Sequence, residues 1–426
     1  MPTDPRGRAA ALDPADPGFW ALPERERLTA FAQLRSLDGP AYLSSGSSGF
    51  YALVKHADVV AASRQPELFL SGPGVTTPEP ARWARVLFGD SMVNMDDPRH
   101  AALRRIVARA FCPRLIAKIE DDMRGVATEI VDDVLARRPE DFVSSVAAQM
   151  PYRVICRMMG IPAAEQARIL SIIDQATGEV GVARRRIRLP GRGLRALVEL
   201  HRVIGRIGRE RRRDPADDLI SALVTADVDG SRLNSRELGA FFSLLLVAGV
   251  ETTRNAIAHG LALLTDNPQQ RSLLLSDLDG QMAGAVEEIV RHSSPIIQFR
   301  RTLAREHRIG DRTLAAGDKV VLFYVSANRD ETVFPDPDAF DITRSPNPHV
   351  GFGGGGPHFC LGAQLARREL DLLFRELYGR LPGLRAVGPP ELVPSSFDNR
   401  VRRLPFAFDR VPARRAVRTG TAVRTA

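Results

Sequence analysis

Apolar residues recur at three- and four-residue spacing through the middle of the chain, and this spacing predicts helices over residues 103–111, 115–135, 194–212, 235–264, 280–292 and 361–378. The fourth opens at Asn234-Ser235, good helix-capping residues, with Glu237 in its first turn. Its stretch 241–250 is apolar on nearly every side. A helix apolar all round is buried, so this one is expected to cross the centre of the molecule. Strand-like runs are shorter: 50–54, and a cluster over 299–314 with turns at Gly310-Asp311 and Ala316-Gly317. Residues 328–349 are rich in Pro and Asp and carry no period. So long a segment is expected to be packed and functional rather than a loose connection. The pattern as a whole predicts a mainly α fold with a small β region.

Composition changes this picture little. The chain has 426 residues, 44% hydrophobic and 26% charged, as in an ordinary globular protein. No linker divides it, so residues 19–410 are expected to form one domain. Residues 1–18, rich in Pro, Asp and Ala, and the basic tail 411–426 are expected to be flexible ends. The net charge of +8 comes almost entirely from arginine and is accompanied by no groove-reading motif, so nucleic acid is not an expected partner. The N-terminal segment has no apolar run long enough for a signal peptide or membrane span, which predicts a cytoplasmic, unanchored protein. A monomer is expected. The three cysteines, Cys112, Cys156 and Cys360, lie far apart, without a C-x-x-C zinc pattern, and their odd number argues against a disulfide framework. Cys112 and Cys156 sit in or beside apolar runs and read as buried thiols.

Cys360 differs. It lies in Phe352-Gly353-Gly354-Gly355-Gly356-Pro357-His358-Phe359-Cys360-Leu361-Gly362, just before a helix. A sulfur that ligates a haem iron needs a loop whose backbone comes close under the ring, and glycines allow that approach and the positive φ angles it requires. The following helix N-terminus, near Leu361-Gly362, supplies N–H donors and a positive dipole for a thiolate. A phosphate-binding glycine loop is the competing reading, but no Lys-Ser/Thr follows.

Ala248-Gly249-Val250-Glu251-Thr252-Thr253 interrupts the apolar helix. A Glu there is costly unless paired or functional. Gly249 would let a flat ligand approach the backbone. The Thr252 hydroxyl can compete for the Ala248 carbonyl and open a polar notch. An acid and an alcohol so placed can relay protons. Glu288 and Arg291 share one helix face. His100 and Arg104, one turn apart, point the same way, and arginine is suited to pairing a carboxylate.

Together these motifs resemble those of the cytochrome P450 family, in its order and over nearly the whole chain. The loop departs in one detail: Phe352 lies eight residues before Cys360, where many bacterial members place it seven before. This variant resembles actinobacterial lipid- and sterol-oxidising members, as do Met95-Asp96-Asp97-Pro98-Arg99-His100, Ala248 through Ala256, and Ser326-Ala327-Asn328-Arg329-Asp330-Glu331. The resemblance implies the P450 fold and haem b with Cys360 as axial thiolate. Phe352 is then beside the sulfur, and Ala248, Gly249 and Gly362 lie at the cofactor. His100, Arg104, Arg301 and His358 are on the propionates; strand alternation lets only one of Arg300 and Arg301 face the haem. Glu251 and Thr252 deliver protons, and Glu288, Arg291 and Arg344 form a structural lock. It implies monooxygenation of a hydrophobic lipid, sterol, terpenoid or polyketide-like substrate, with electrons from a ferredoxin and its reductase. A peroxygenase, or a haem-binding protein without turnover, are the alternatives. The substrate pocket is expected from residues 70–94, 245–248, 295–299 and 395–399. The basic stretch 183–192 reads either as a solvated, mobile loop or as one that attracts an anionic substrate, and Arg105, Arg109, Arg114, Arg367 and Arg368 suggest a docking face for an acidic partner.

Overall fold

Helix formation follows the apolar spacing closely. The computed structural model describes residues 13–45, 48–77, 91–110, 113–162, 164–166, 168–169, 191–226 and 235–409. In chain order the helices are α1 (Glu24–Arg35), α2 (His56–Ser63), α3 (Arg99–Ala110), α4 (Pro113–Arg137), α5 (Gln149–Met158), α6 (Gly191–Arg213), α7 (Leu219–Thr225), α8 (Ser235–Asp266), α9 (Pro268–Ser276), α10 (Leu278–Ser293), α11 (Tyr324–Ala327) and α12 (Ala363–Arg380). Every predicted helix is present. Those missed are short or follow a break: α5 carries Pro151 inside and follows a wide helical turn, Val143–Ala147, which disturbs the period.

α8 is central. It packs against α5, α6, α10 and α12, and Phe242, Ile257, Leu261 and Leu264 on it are fully enclosed. At Gly260 a Cβ would lie 2.7 Å from the Phe374 ring of α12, so α8 and α12 pass close there. Among the described residues, no helix is long and apolar enough to cross a membrane.

The main sheet has five strands in the order β1-β2-β7-β4-β3: β1 (Ala41–Ser45), β2 (Ser48–Leu53), β3 (Phe69–Leu70), β4 (Gln298–Leu303) and β7 (Lys319–Phe323), with the hairpin β5 (His307–Ile309) and β6 (Arg312–Leu314) apart from it. β7 pairs parallel with β2 (Tyr51 opposite Val320) and antiparallel with β4 (Arg301 opposite Val320). Gly310 and Gly317 take φ of +58° and +88° in the expected turns. Beyond Lys319, β7 is a continuous run of buried apolar residues and gave no alternation to read.

Residues 13–18 are more ordered than their composition suggests. Asp16 caps a short helical turn, Pro17–Ala21, and delivers Phe19 and Trp20 into an aromatic cluster with Phe31 and Phe323. Residues 1–12 and the tail 411–426 lie outside the described residues. The aperiodic segment 328–349 is packed, as its length required. Arg291 donates to the carbonyls of Asn328 (2.8 Å), Pro337 (2.7 Å) and Ala339 (2.9 Å) within it.

Candidate active site

The loop before α12 is shaped by α2. Gly353, Gly355 and Gly356 have φ of +100°, +91° and +72°. A Cβ on Gly356 would lie 2.1 Å from the Ser63 carbonyl oxygen, and one on Gly354 2.6 Å from Ser63 Oγ. The loop therefore accepts no side chain at either position. Its turn closes where the Cys360 N–H donates to the Phe352 carbonyl (2.9 Å).

Cys360 is solvent-accessible, yet burial pushes its thiol above the ordinary value. A sulfur both accessible and surrounded by protein lies on the wall of an enclosed space. The Gly362 N–H bonds this sulfur, and the Arg104 and Arg367 guanidiniums favour its anion. Gly362 caps α12, and a Cβ there would meet nothing.

Four basic side chains gather beside the loop. Arg104, from α3, donates to the Phe359 carbonyl (2.8 Å). The His100 and His358 rings lie 4.1 Å apart, tilted by 30°. Burial, with repulsion from Arg301, His100 and Arg104, drives His358 down to about 3; its bond to the Met95 backbone opposes this. Ser71 Oγ lies 3.1 Å from His358 Nε2. Arg301 is 5% exposed, with its charge disfavoured chiefly by desolvation; Nη1 donates to the Arg300 carbonyl (2.8 Å). Asp96, its nearby acid, is engaged by the Ser71 and Gly72 N–H groups. Arg300 turns elsewhere, to the carbonyls of Gly74 and Pro73. Among the described residues neither Arg104 nor Arg301 makes a carboxylate ion pair. Part-buried cations in this state fit a ligand that brings its own carboxylates. An accessible thiol with an N–H on its sulfur fits a soft metal. Haem carries both.

On α8, Thr252 Oγ1 donates to the Ala248 carbonyl (2.5 Å), as the spacing predicted, and Ala248 is exposed. Glu251 is 6% exposed and paired, with Oε1 3.2 Å from Arg254 and Oε2 3.7 Å from Arg400. Gly249 departs from expectation. A Cβ there would lie 2.7 Å from Ile155 Cδ1, so this glycine serves the packing of α8 on α5.

The lock is complete. Glu288 and Arg291 are fully buried and doubly bonded (2.7 and 2.8 Å), and Arg344 Nε approaches Glu288 at 3.3 Å. Asn347 and the Asp341 N–H fill the remaining Glu288 sites.

Two of the proposed docking arginines, Arg367 and Arg368, are less available than their sequence suggested. Arg367 is doubly bonded to Glu287 (2.6 and 2.9 Å) and lies over the Phe352 ring at 4.4 Å. Arg368 bonds Glu120 and Asp371. Of the expected pocket segments, Phe397 packs on Phe299 (5.5 Å), and Ser395, Asp398 and Asn399 line a cleft together with Trp20 and Arg27. Cys156 is buried, its thiol pushed up to about 11 by desolvation. Cys112, residues 78–90 and residues 183–190 lie outside the described residues. Sequence reasoning missed Ser71, Tyr324 beside Arg301, and Glu369, which hydrogen-bonds Thr253; none sits in a motif.

Similarity to known proteins covers the same framework. The family model for cytochrome P450 matches residues 194–284 and 280–378. A methyl-branched lipid omega-hydroxylase of Mycobacterium tuberculosis is 44% identical over 408 residues, 92% of this chain and 93% of that protein. A steroid C26-monooxygenase of Mycolicibacterium smegmatis is 36% identical over 84% of this chain and 83% of its own. A Mycobacterium marinum cytochrome P450 solved with pseudoionone superposes with a TM-score of 0.86 at 41% identity, over 96% of this chain and 99% of that one.

Proposed function

The chain belongs to the cytochrome P450 family and is a haem-dependent monooxygenase, and from that premise we propose that it hydroxylates a lipid or sterol-like substrate with Cys360 as the iron's thiolate ligand. Bound haem supplies the redox chemistry by which dioxygen, two electrons and two protons yield one inserted oxygen atom and one water.

The residues divide the remaining work. Cys360 provides the sulfur, with the Gly362 N–H stabilising its anion. Arg104 and Arg301, with His100 and His358, hold the propionates. Thr252 and Glu251 pass protons; the hydroxyl is oriented by the Ala248 carbonyl and the carboxylate by Arg254 and Arg400. Residues 19–410 act as one catalytic domain, and a ferredoxin with its reductase supplies electrons. The observation that carries this reading is the accessible Cys360 thiol, enclosed by protein and bonded by a helix-terminal N–H beside the Arg104 guanidinium. The substrate class rests on the relatives' names and on the partly buried Leu244 and Leu245 and exposed Ala248 along α8.

Cys360→Ser should abolish the red-shifted ferrous–CO band of thiolate-ligated haem while the protein stays folded by circular dichroism. Survival of the band would remove Cys360 as ligand. For the substrate, branched fatty acids and sterols should shift the haem spin state at micromolar concentration. A shift only with unrelated scaffolds would overturn the lipid assignment.

A further inference from the structure

Glu251 does not stand alone on α8. Asn255 and His259 follow at four-residue spacing, on the same helix face. All three reach the segment 395–401. Glu251 meets Arg400, Asn255 Oδ1 accepts from the Val401 N–H (3.3 Å), and His259 Nε2 lies 3.0 Å from the Asn399 carbonyl. Arg254 adds a bond to the Val401 carbonyl (3.5 Å). A polar seam thus runs along one face of a largely apolar helix.

The seam holds more polar atoms than its protein partners satisfy. Arg254 Nε, Asn255 Nδ2 and Ser293 Oγ are buried with no hydrogen bond, and so is Arg27 Nε at the far side of 395–401. Buried polar atoms left without a protein partner are rare singly, and a cluster of them marks a place for ordered water.

The seam has an outer end. A cleft of about 330 Å³ separates the N-terminal turn from the C-terminal segment; Trp20, Arg27, Ser395, Asp398, Asn399 and Arg400 are in its wall. Arg400 is shared: Nε and Nη2 bond Asp398 (3.1 and 3.0 Å) on the cleft side, and Nε stands 3.7 Å from Glu251 on the other. One guanidinium therefore lies between the cleft and the acid.

We propose that this seam is a water-filled proton entry from the cleft to Glu251, with Arg400 as the positioning residue that holds Glu251 at its inner end. The proposal rests on Glu251 serving proton delivery. Reducing O2 with two electrons to insert one oxygen atom consumes two protons and releases one water. The seam supplies those protons from solvent: a water donates to the Glu251 carboxylate, Glu251 donates onward by way of Thr252, and the chain of waters is refilled from the cleft.

The test uses holoenzyme with a ferredoxin, its reductase and a substrate found by spin-state shift. Arg400→Gln and Leu392→Trp, which places bulk at the cleft wall, should slow O2-driven turnover on the order of tenfold and raise the solvent deuterium isotope effect. Arg400→Lys should recover most of the rate. Peroxide-driven turnover of Leu392→Trp should stay near wild type, because H2O2 brings both electrons and both protons with it; that arm separates a proton defect from damage to the site. A high-resolution crystal structure should also show ordered waters on Arg254 Nε and Asn255 Nδ2. Wild-type rates and isotope effects in both variants, or a dry seam, would overturn the proposal. If these variants are normal but Glu251→Gln is slow, the route is wrong and Glu251's role stands. If Glu251→Gln is itself normal, the underlying reading of Glu251 fails.

Discussion

Glu369 shows how one side chain can carry chemistry that no motif announces. It is 1% exposed, and burial raises its carboxyl to about 8 against the opposing bond with Thr253. At neutral pH the native protein keeps it protonated. An unfolded chain releases that proton near 4.5, so the native state binds more protons between about 4.5 and 8. Its contribution to stability is full below that window and falls as pH rises through it. Glu369→Gln should remove this loss: denaturant unfolding at pH 5 and pH 8 should show wild type losing on the order of 1–3 kcal/mol more than the variant. Cys360, Glu251 and Thr252 were legible because the residues that give each its meaning are sequence neighbours. Ser71, Tyr324 and Glu369 were not, because their partners are remote and two of those contacts involve ordinary core positions. Gly249 was read as a place for a flat ligand to approach, but the space its Cβ would need is taken by Ile155 of α5.

Among elements, α10 carries the clearest energetic consequence. Its Glu288–Arg291 pair is fully buried and holds the aperiodic segment through backbone carbonyls. Removing one member of a buried pair strands the other charge. Arg291→Ala should cost about 3–5 kcal/mol, seen as a lower denaturant midpoint and poor haem retention. Arg291→Lys should recover little, since an ammonium cannot reproduce the two-pronged bond to Glu288 together with three carbonyl bonds. Long helices were readable from the sequence because their apolar spacing persists for many turns, and α8 because it is apolar on nearly every side. β7 was not, being short and apolar beyond Lys319, and α5 was not, because Pro151 and the wide turn before it interrupt the pattern.

For the whole molecule, charge and chain ends mislead in similar ways. Five arginines suggested a docking face, but Arg367 is paired with Glu287 of α10, and Arg368 with Glu120 of α4 and with Asp371 one turn along α12. Arg368→Ala should therefore lower stability while leaving the salt dependence of association with the proposed ferredoxin donor nearly unchanged, by stopped-flow measurement over a salt series. The N-terminal turn, likewise, is part of the fold. Trp20 is 6% exposed, stacks on Phe323 at 6.4 Å and hydrogen-bonds the Pro14 carbonyl. Trp20→Ala should destabilise the protein by about 3–5 kcal/mol, measurable as a fall in melting temperature.

The fit of Ser63 against the glycine loop has a genetic consequence. Because Gly354 and Gly356 rest on Ser63, with its Oγ tied to the Val59 carbonyl, a bulky allele at that early codon would displace the loop that carries Cys360. In a random-mutagenesis screen such an allele would score as colourless protein, and would be suppressed by second-site changes in α2 rather than near the catalytic helix.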